Sequence, residues 1–267
     1  MKSKRLGFTM IEVAIFLVIT GIIFVGIAVG TQNSIFQQRY NDAVQNFTEF
    51  LRTVYSETMN VQNEKDGRSE KAIYGKLVTF GESYNLNGEL IDNNMSAIYS
   101  YNVIGDIGDI ESGSLLETLV ALNANVVVKE ENEFRPVGYV TNYKPRWASA
   151  IQEIGSNNNF KGALLVVRNP SSGTVYTFVM HDGNDETIEV NKAVHDANLD
   201  NALSANPLRG FLEQNKFKME AVDFCVNPNG VGEGGLRKDV RIVKGARNGS
   251  GVEIIAEGAG DRCAPSD

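Results

Sequence analysis

Glu12 is the residue of this chain whose setting most demands chemistry. It stands at the head of a run, Val13 to Gly30, that contains no charged side chain. A carboxylate costs roughly 2.5 to 3.5 kcal/mol near the centre of a bilayer and less at its interface, so an acid in such a stretch calls for a partner. Just before it come Gly7-Phe8-Thr9-Met10-Ile11, preceded by a basic leader of Lys2, Lys4 and Arg5. Cations flanking an apolar span orient it, keeping that end on the cytoplasmic side. The chemistry on offer is charge pairing in a medium of low dielectric.

Residues for group transfer or metal ligation are sparse. His181 and His195 are the only histidines, neither has a zinc-type spacing, and Cys225 and Cys263 are too scattered to complete a site. There is no G-x-S-x-G, no Walker loop and no kinase signature. The sequence is therefore expected to be no enzyme and to need no cofactor. His181-Asp182-Gly183-Asn184-Asp185-Glu186 gathers oxygen ligands, and calcium near Asp182 and Asp185 is the one candidate. The stretch lacks the alternating acids of an EF-hand loop and reads as a solvated turn, as does Gly105 to Glu111. Asn94-Met95-Ser96 and Asn248-Gly249-Ser250 match the glycosylation triplet, a pattern too short to carry weight. A net charge of −8 and a pI near 5.0 leave no basic footprint for nucleic acid.

The element that positions Glu12 is a long helix. Beyond the apolar run, from Phe36, apolar residues fall at Tyr40, Ala43, Phe47, Phe50 and Val54, steps of three and four that draw a stripe. Gln37, Gln38, Arg39, Asn41, Gln45 and Glu49 form the opposite, polar face, and no proline occurs before Pro136. Phe8 to about Gln62 is thus expected as one helix on the order of 80 Å long at 1.5 Å per residue. Gly21, Gly26 and Gly30 each cost about 1 kcal/mol relative to Ala, although small residues let apolar helices approach closely. A secretory signal could use Ala28-Val29-Gly30 for cleavage, but the run exceeds its usual 7 to 15 or so apolar residues and Glu12 interrupts the start. A plain anchor fits a span of about 20 residues yet gives no reason for Glu12 beside Gly7-Phe8.

Taken together, Lys2, Lys4, Arg5, the Gly7-Phe8-Thr9-Met10-Ile11-Glu12 motif and the apolar run resemble the class III signal of type IV prepilins and pseudopilins. Met10 replaces the family's commonest residue there, Leu. The resemblance is specific over residues 1 to about 30, looser to about 62, and architectural beyond. It implies cleavage between Gly7 and Phe8 by a membrane peptidase, N-methylation of Phe8, and pairing of the Phe8 amine with Glu12 of a neighbouring subunit. Many pilins have a helix-breaking proline in the span; Val29 and the glycines stand here instead.

The implied organisation is a leader at 1–7, a helix at 8–62 with its membrane and filament part at 8–30, and a globular head at 63–267. About 205 residues remain after the helix, enough for one domain with a core. Strand-like runs occupy Ile73 to Phe80, Ile98 to Ile104, Asn125 to Lys129, Ala163 to Val167, Val175 to Met180, Glu220 to Val226, Val240 to Val243 and Val252 to Ile255. Asn169 to Gly173 and Asn248 to Gly251 are hairpin turns, and Ser114 to Leu122 and Ile188 to Leu203 look weakly helical. The fold expected is α+β: the long helix packed on an antiparallel sheet, with about 82 to 160 as a variable insertion. An even pair of cysteines in an exported domain reads as a disulfide, Cys225 to Cys263, worth about 4 kcal/mol by loop entropy; pilins often staple this region too.

What the resemblance implies about role is a structural subunit of a surface filament serving adhesion, motility or DNA uptake. Its partners would be itself and other pilins, the prepilin peptidase, an inner-membrane assembly platform and the membrane, with surface ligands on host or partner cells. The alternatives are a pseudopilin of a type II secretion or competence system and a tip pilin acting as adhesin. The protein would be single-pass in the cell membrane before assembly and extracellular afterwards.

Overall fold

One helix, α1 (Met10–Met59), opens the chain and runs through 50 residues without a break. The computed structural model describes residues 10–61, 71–84, 90–107, 114–126, 140–155, 158–181, 206–228, 238–255 and 263. The chain divides into two compact units, Met1–Asp42 and Ala43–Asp267.

In the second unit α1 is amphipathic. Ala43, Val44, Phe47, Leu51, Val54 and Tyr55 are buried, with Thr48 and Thr58 among them. The two threonine hydroxyls donate to the carbonyls of Val44 and Val54, four residues back, so neither is an unmet donor in the core. Gln45 and Glu49 of the polar face are exposed.

The first sheet is built from β1 (Lys71–Tyr84), β2 (Leu90–Asp106), β3 (Asn125–Val126), β4 (Val140–Tyr143), β6 (Gly162–Arg168) and β7 (Val175–His181). Among the described residues its order is β3-β2-β1-β6-β7, with β4 also pairing β2, and every pairing is antiparallel. At Gly75 a Cβ would lie 2.1 Å from the Val166 carbonyl, so only glycine lets β1 approach β6 there. The β6–β7 turn uses Gly173 at φ 70°, while Asn169 Oδ1 accepts from the Ser171 and Ser172 amides.

Both faces of this sheet are covered. On one, Leu77, Tyr101, Leu165 and Phe178 form a core with α2 (Leu115–Ala121) and α3 (Pro207–Glu213), through Leu119, Leu122, Leu208 and Phe211. Ser114 and Glu117 close a capping box at the start of α2, and Asn206 caps α3 with Pro207 at its first position. On the other face lies α1. Tyr55 Oη is 2.8 Å from Thr177 Oγ1, which itself donates to the Ala246 carbonyl; its single proton is thereby committed and Tyr55 must be the donor. Arg168 donates to the Met59 carbonyl, meeting an orphan acceptor in the last turn of α1.

A second sheet, ordered β10-β9-β8-β5 among the described residues, comprises β5 (Ser149–Gln152), β8 (Val222–Pro228), β9 (Lys238–Ile242) and β10 (Val252–Ile255). Phe224 of β8 packs at ring distances of 5.1 Å from Phe80, 4.8 Å from Phe160 and 5.5 Å from Phe47. Arg52 of α1 donates to the Val252 carbonyl, so the helix is gripped by both sheets.

The α+β class, the long helix and the antiparallel pairing match the sequence expectation. One point is corrected: strands form two sheets where one was expected. The stretch 82–160 supplies β2 to β5. The helix expected at Ile188 to Leu203 lies outside the described residues.

Burial pushes the Tyr55 phenol up to about 12, and raises Tyr101 and Tyr143 as well. Each group is neutral in the fold while its unfolded counterpart ionises near pH 10, so the unfolded state binds fewer protons and stability falls as pH rises above 10. Each such tyrosine contributes a slope of about 1.4 kcal/mol per pH unit in that window. An ultraviolet phenolate titration of detergent-solubilised protein should show a late-ionising fraction that appears together with unfolding; all phenols ionising near pH 10 in folded protein would contradict it.

Candidate functional site

From Val13 to Gly30 α1 has no polar face. Ile15, Phe16, Leu17, Val18 and Ile19 occupy five consecutive positions, more than a full turn, and each is between 52% and 69% exposed. Ile22, Ile23, Phe24, Val25 and Ile27 repeat the pattern. A surface this apolar on every side is foreign to water and matches either hydrocarbon or other apolar helices. The helix carries an 18-residue window of mean hydropathy 2.8, long and apolar enough to cross a membrane.

The polar groups in this stretch are handled internally. Thr20 donates to the Phe16 carbonyl, and Thr31 to those of Ile27 and Ala28, so their hydroxyls need nothing from solvent. At Gly21, Gly26 and Gly30 a Cβ would meet no atom within 4 Å, so no packing within the chain requires glycine there.

Glu12 lies in the first turn of α1 and is exposed. The unmet amides of a helix start carry partial positive charge and favour a carboxylate there. Lys2, Lys4, Arg5, Gly7 and Phe8, the other members of the expected processing and assembly group, lie outside the described residues.

Cys225 and Cys263 are joined in a disulfide, with Cα atoms 5.6 Å apart across a separation of 38 residues. The bond ties residue 263 to the second sheet through β8, and both sulfurs' residues are buried. Asp182, Asp185 and His195 lie outside the described residues. Within them no cluster of three or more His, Cys, Asp or Glu side chains is arranged to hold a metal ion. His181 Nε2 is 3.7 Å from Glu153 Oε1 at the rim of the first sheet. Comparison with family models, curated proteins and solved structures returns no match.

The geometry adds residues that sequence reasoning passed over. Glu57 on the exposed side of α1 reaches Lys76 of β1 at 2.7 Å, and Lys76 is buried. The only sequence signal was a lysine inside a strand-like run, set between Gly75 and Leu77.

Proposed function

We propose that this chain is a type IV pilin-like structural subunit, anchored in the membrane by the first half of α1 until it is drawn into a helical filament. The observation that carries the reading is the change of character along a single helix. From Val13 to Gly30 it is apolar all round, and from Ala43 onward it buries one face in a globular unit and presents a polar face elsewhere. A subunit that exchanges lipid contacts for contacts with identical helices needs this division, because both environments satisfy an all-apolar surface and neither requires refolding of the head.

Glu12 supplies register in this scheme. After cleavage behind Gly7, the Phe8 amine of one subunit meets the Glu12 carboxylate of another, and each charge removes the other's desolvation penalty. The leader cations Lys2, Lys4 and Arg5 hold the cleavage site at the cytoplasmic face.

Mass spectrometry of mature protein tests the processing step. The chain should begin at N-methylated Phe8, and a long side chain substituted at Gly7 should leave the leader uncut. A mature terminus at Thr31 would identify a secretory signal and end this reading.

A further inference from the structure

Under α1, one row of residues crosses the first sheet: Asn102 of β2 stands opposite Lys76 of β1, Lys76 opposite Val166 of β6, and Val166 opposite Thr177 of β7. All four are buried, Lys76 to 6% and Asn102 to 8% exposure. The end of α1 crosses this row, with Tyr55 bonded to Thr177 and Glu57 Oε2 placed 2.7 Å from Lys76 Nζ.

A lysine and an asparagine are costly choices for such a place, where apolar residues of similar volume would pack at no desolvation cost. Directly opposed residues of an antiparallel pair share a face and hold their Cβ atoms about 4.5–5.5 Å apart, well inside the reach of a lysine stem. The row therefore sets an amine nucleophile directly opposite a primary amide, both of them buried, with the half-exposed carboxylate of Glu57 in contact with the amine. These are the three groups that an amide-exchange reaction needs.

We propose that Lys76 and Asn102 are joined by an intramolecular isopeptide bond, formed autocatalytically with Glu57 as the proton-transfer group. Glu57 takes a proton from the Lys76 ammonium. The freed Nζ lone pair attacks Cγ of Asn102 and forms the new Nζ–Cγ bond. The protonated Glu57 returns its proton to Nδ2, the Cγ–Nδ2 bond breaks, and ammonia departs, taking up the proton left over from Nζ. One ammonium and one primary amide become one secondary amide and an ammonium ion, so atoms and charge balance without a further reactant. The product locks the register of β1 against β2 beneath the helix.

Tandem mass spectrometry of the reduced, digested full-length protein decides the matter. The expected result is a branched peptide joining the Lys76 and Asn102 segments, lighter than their sum by one ammonia and uncut by trypsin after Lys76. Intact mass alone is insufficient, because cyclisation at an Asn-Gly pair loses ammonia too. Lys76→Arg keeps a cation opposite Glu57 but should abolish the branch, as should Asn102→Ala. Glu57→Gln should slow bond formation by about a hundredfold, the size of a general acid–base contribution. Finding Lys76 and Asn102 only in separate linear peptides of the unaltered protein would overturn the bond, and unchanged linkage in Glu57→Gln would overturn the role of Glu57.

Discussion

Replacing Glu12 with Ala should separate processing from assembly. The substitution removes a carboxylate from the edge of an apolar span, so membrane insertion and cleavage after Gly7 should proceed at least as well as in the unaltered chain. The expected loss comes later. In the proposed filament the Phe8 ammonium of each subunit would enter an apolar helix bundle without a counter-charge, a penalty of several kcal/mol when fully buried. At about 1.4 kcal/mol per factor of ten, incorporation into sheared filaments should fall by about a hundredfold or more. Mature protein should accumulate in the membrane fraction at normal or higher amounts. Co-expression with the unaltered chain should restore part of the incorporation, because each altered subunit still offers its own amine to a normal Glu12. Normal filament content for the altered protein alone would mean that Glu12 is a solvated interfacial acid, and the charge-pairing mechanism would fall.

A second large effect is expected at Phe47. Its side chain is fully buried and meets rings from three other segments: Phe80 of β1 at 6.5 Å, Tyr143 of β4 at 6.0 Å and Phe224 of β8 at 5.5 Å. The helix, the first sheet and the second sheet thus share one aromatic centre. Phe47→Ala leaves a cavity that the surrounding strands, fixed by their ladders, have little freedom to close, and such truncations cost about 3–5 kcal/mol. Against a total stability of about 5–15 kcal/mol, that is enough to leave much of the protein unfolded at moderate denaturant. Phe36→Ala, at a site 39% exposed, should shift stability by only about 0.5 kcal/mol. Urea unfolding of solubilised protein followed by circular dichroism compares the two, and equal midpoints would show that the aromatic centre does not hold the unit together.

The long helix was legible before any coordinates because its signals are local. An uninterrupted apolar run, a stripe with steps of three and four, and the lack of proline act on neighbouring residues of the same segment. The eight strand-like runs were legible for the same reason, since β-branched and aromatic residues mark pleated, half-buried backbone. Each of them meets a described strand, although β8 begins only at Val222, β9 ends at Ile242, and the run from Asn125 is described only to Val126. The strands that escaped notice are β4 and β5, each four residues long, too short for alternation to rise above chance. Helix α3 was not expected either, because its seven residues are too few for a helical period to stand out.

The stripe on α1 shows where local information ended. Phe50 was drawn into it and Leu51 and Tyr55 were left out, whereas Leu51 and Tyr55 are the fully buried pair and Phe50, half-buried, stacks on Tyr143. A helix lying on one sheet buries a narrow arc; this one is gripped by two, and the arc widens accordingly. Lys76 makes the same point for chemistry. Its residue type argues for a solvated surface, and only the register of β1 against β2 and the placement of α1 set it in the core with Asn102 opposite and Glu57 in contact. By itself, then, the sequence determined the class, the helix and most strands, because propensity and periodicity are properties of contiguous residues. The division into two sheets, the covering of both faces of the first, and the meeting of Lys76, Asn102 and Glu57 were decided only by the tertiary structure, because they depend on pairings between distant segments whose register no local pattern encodes.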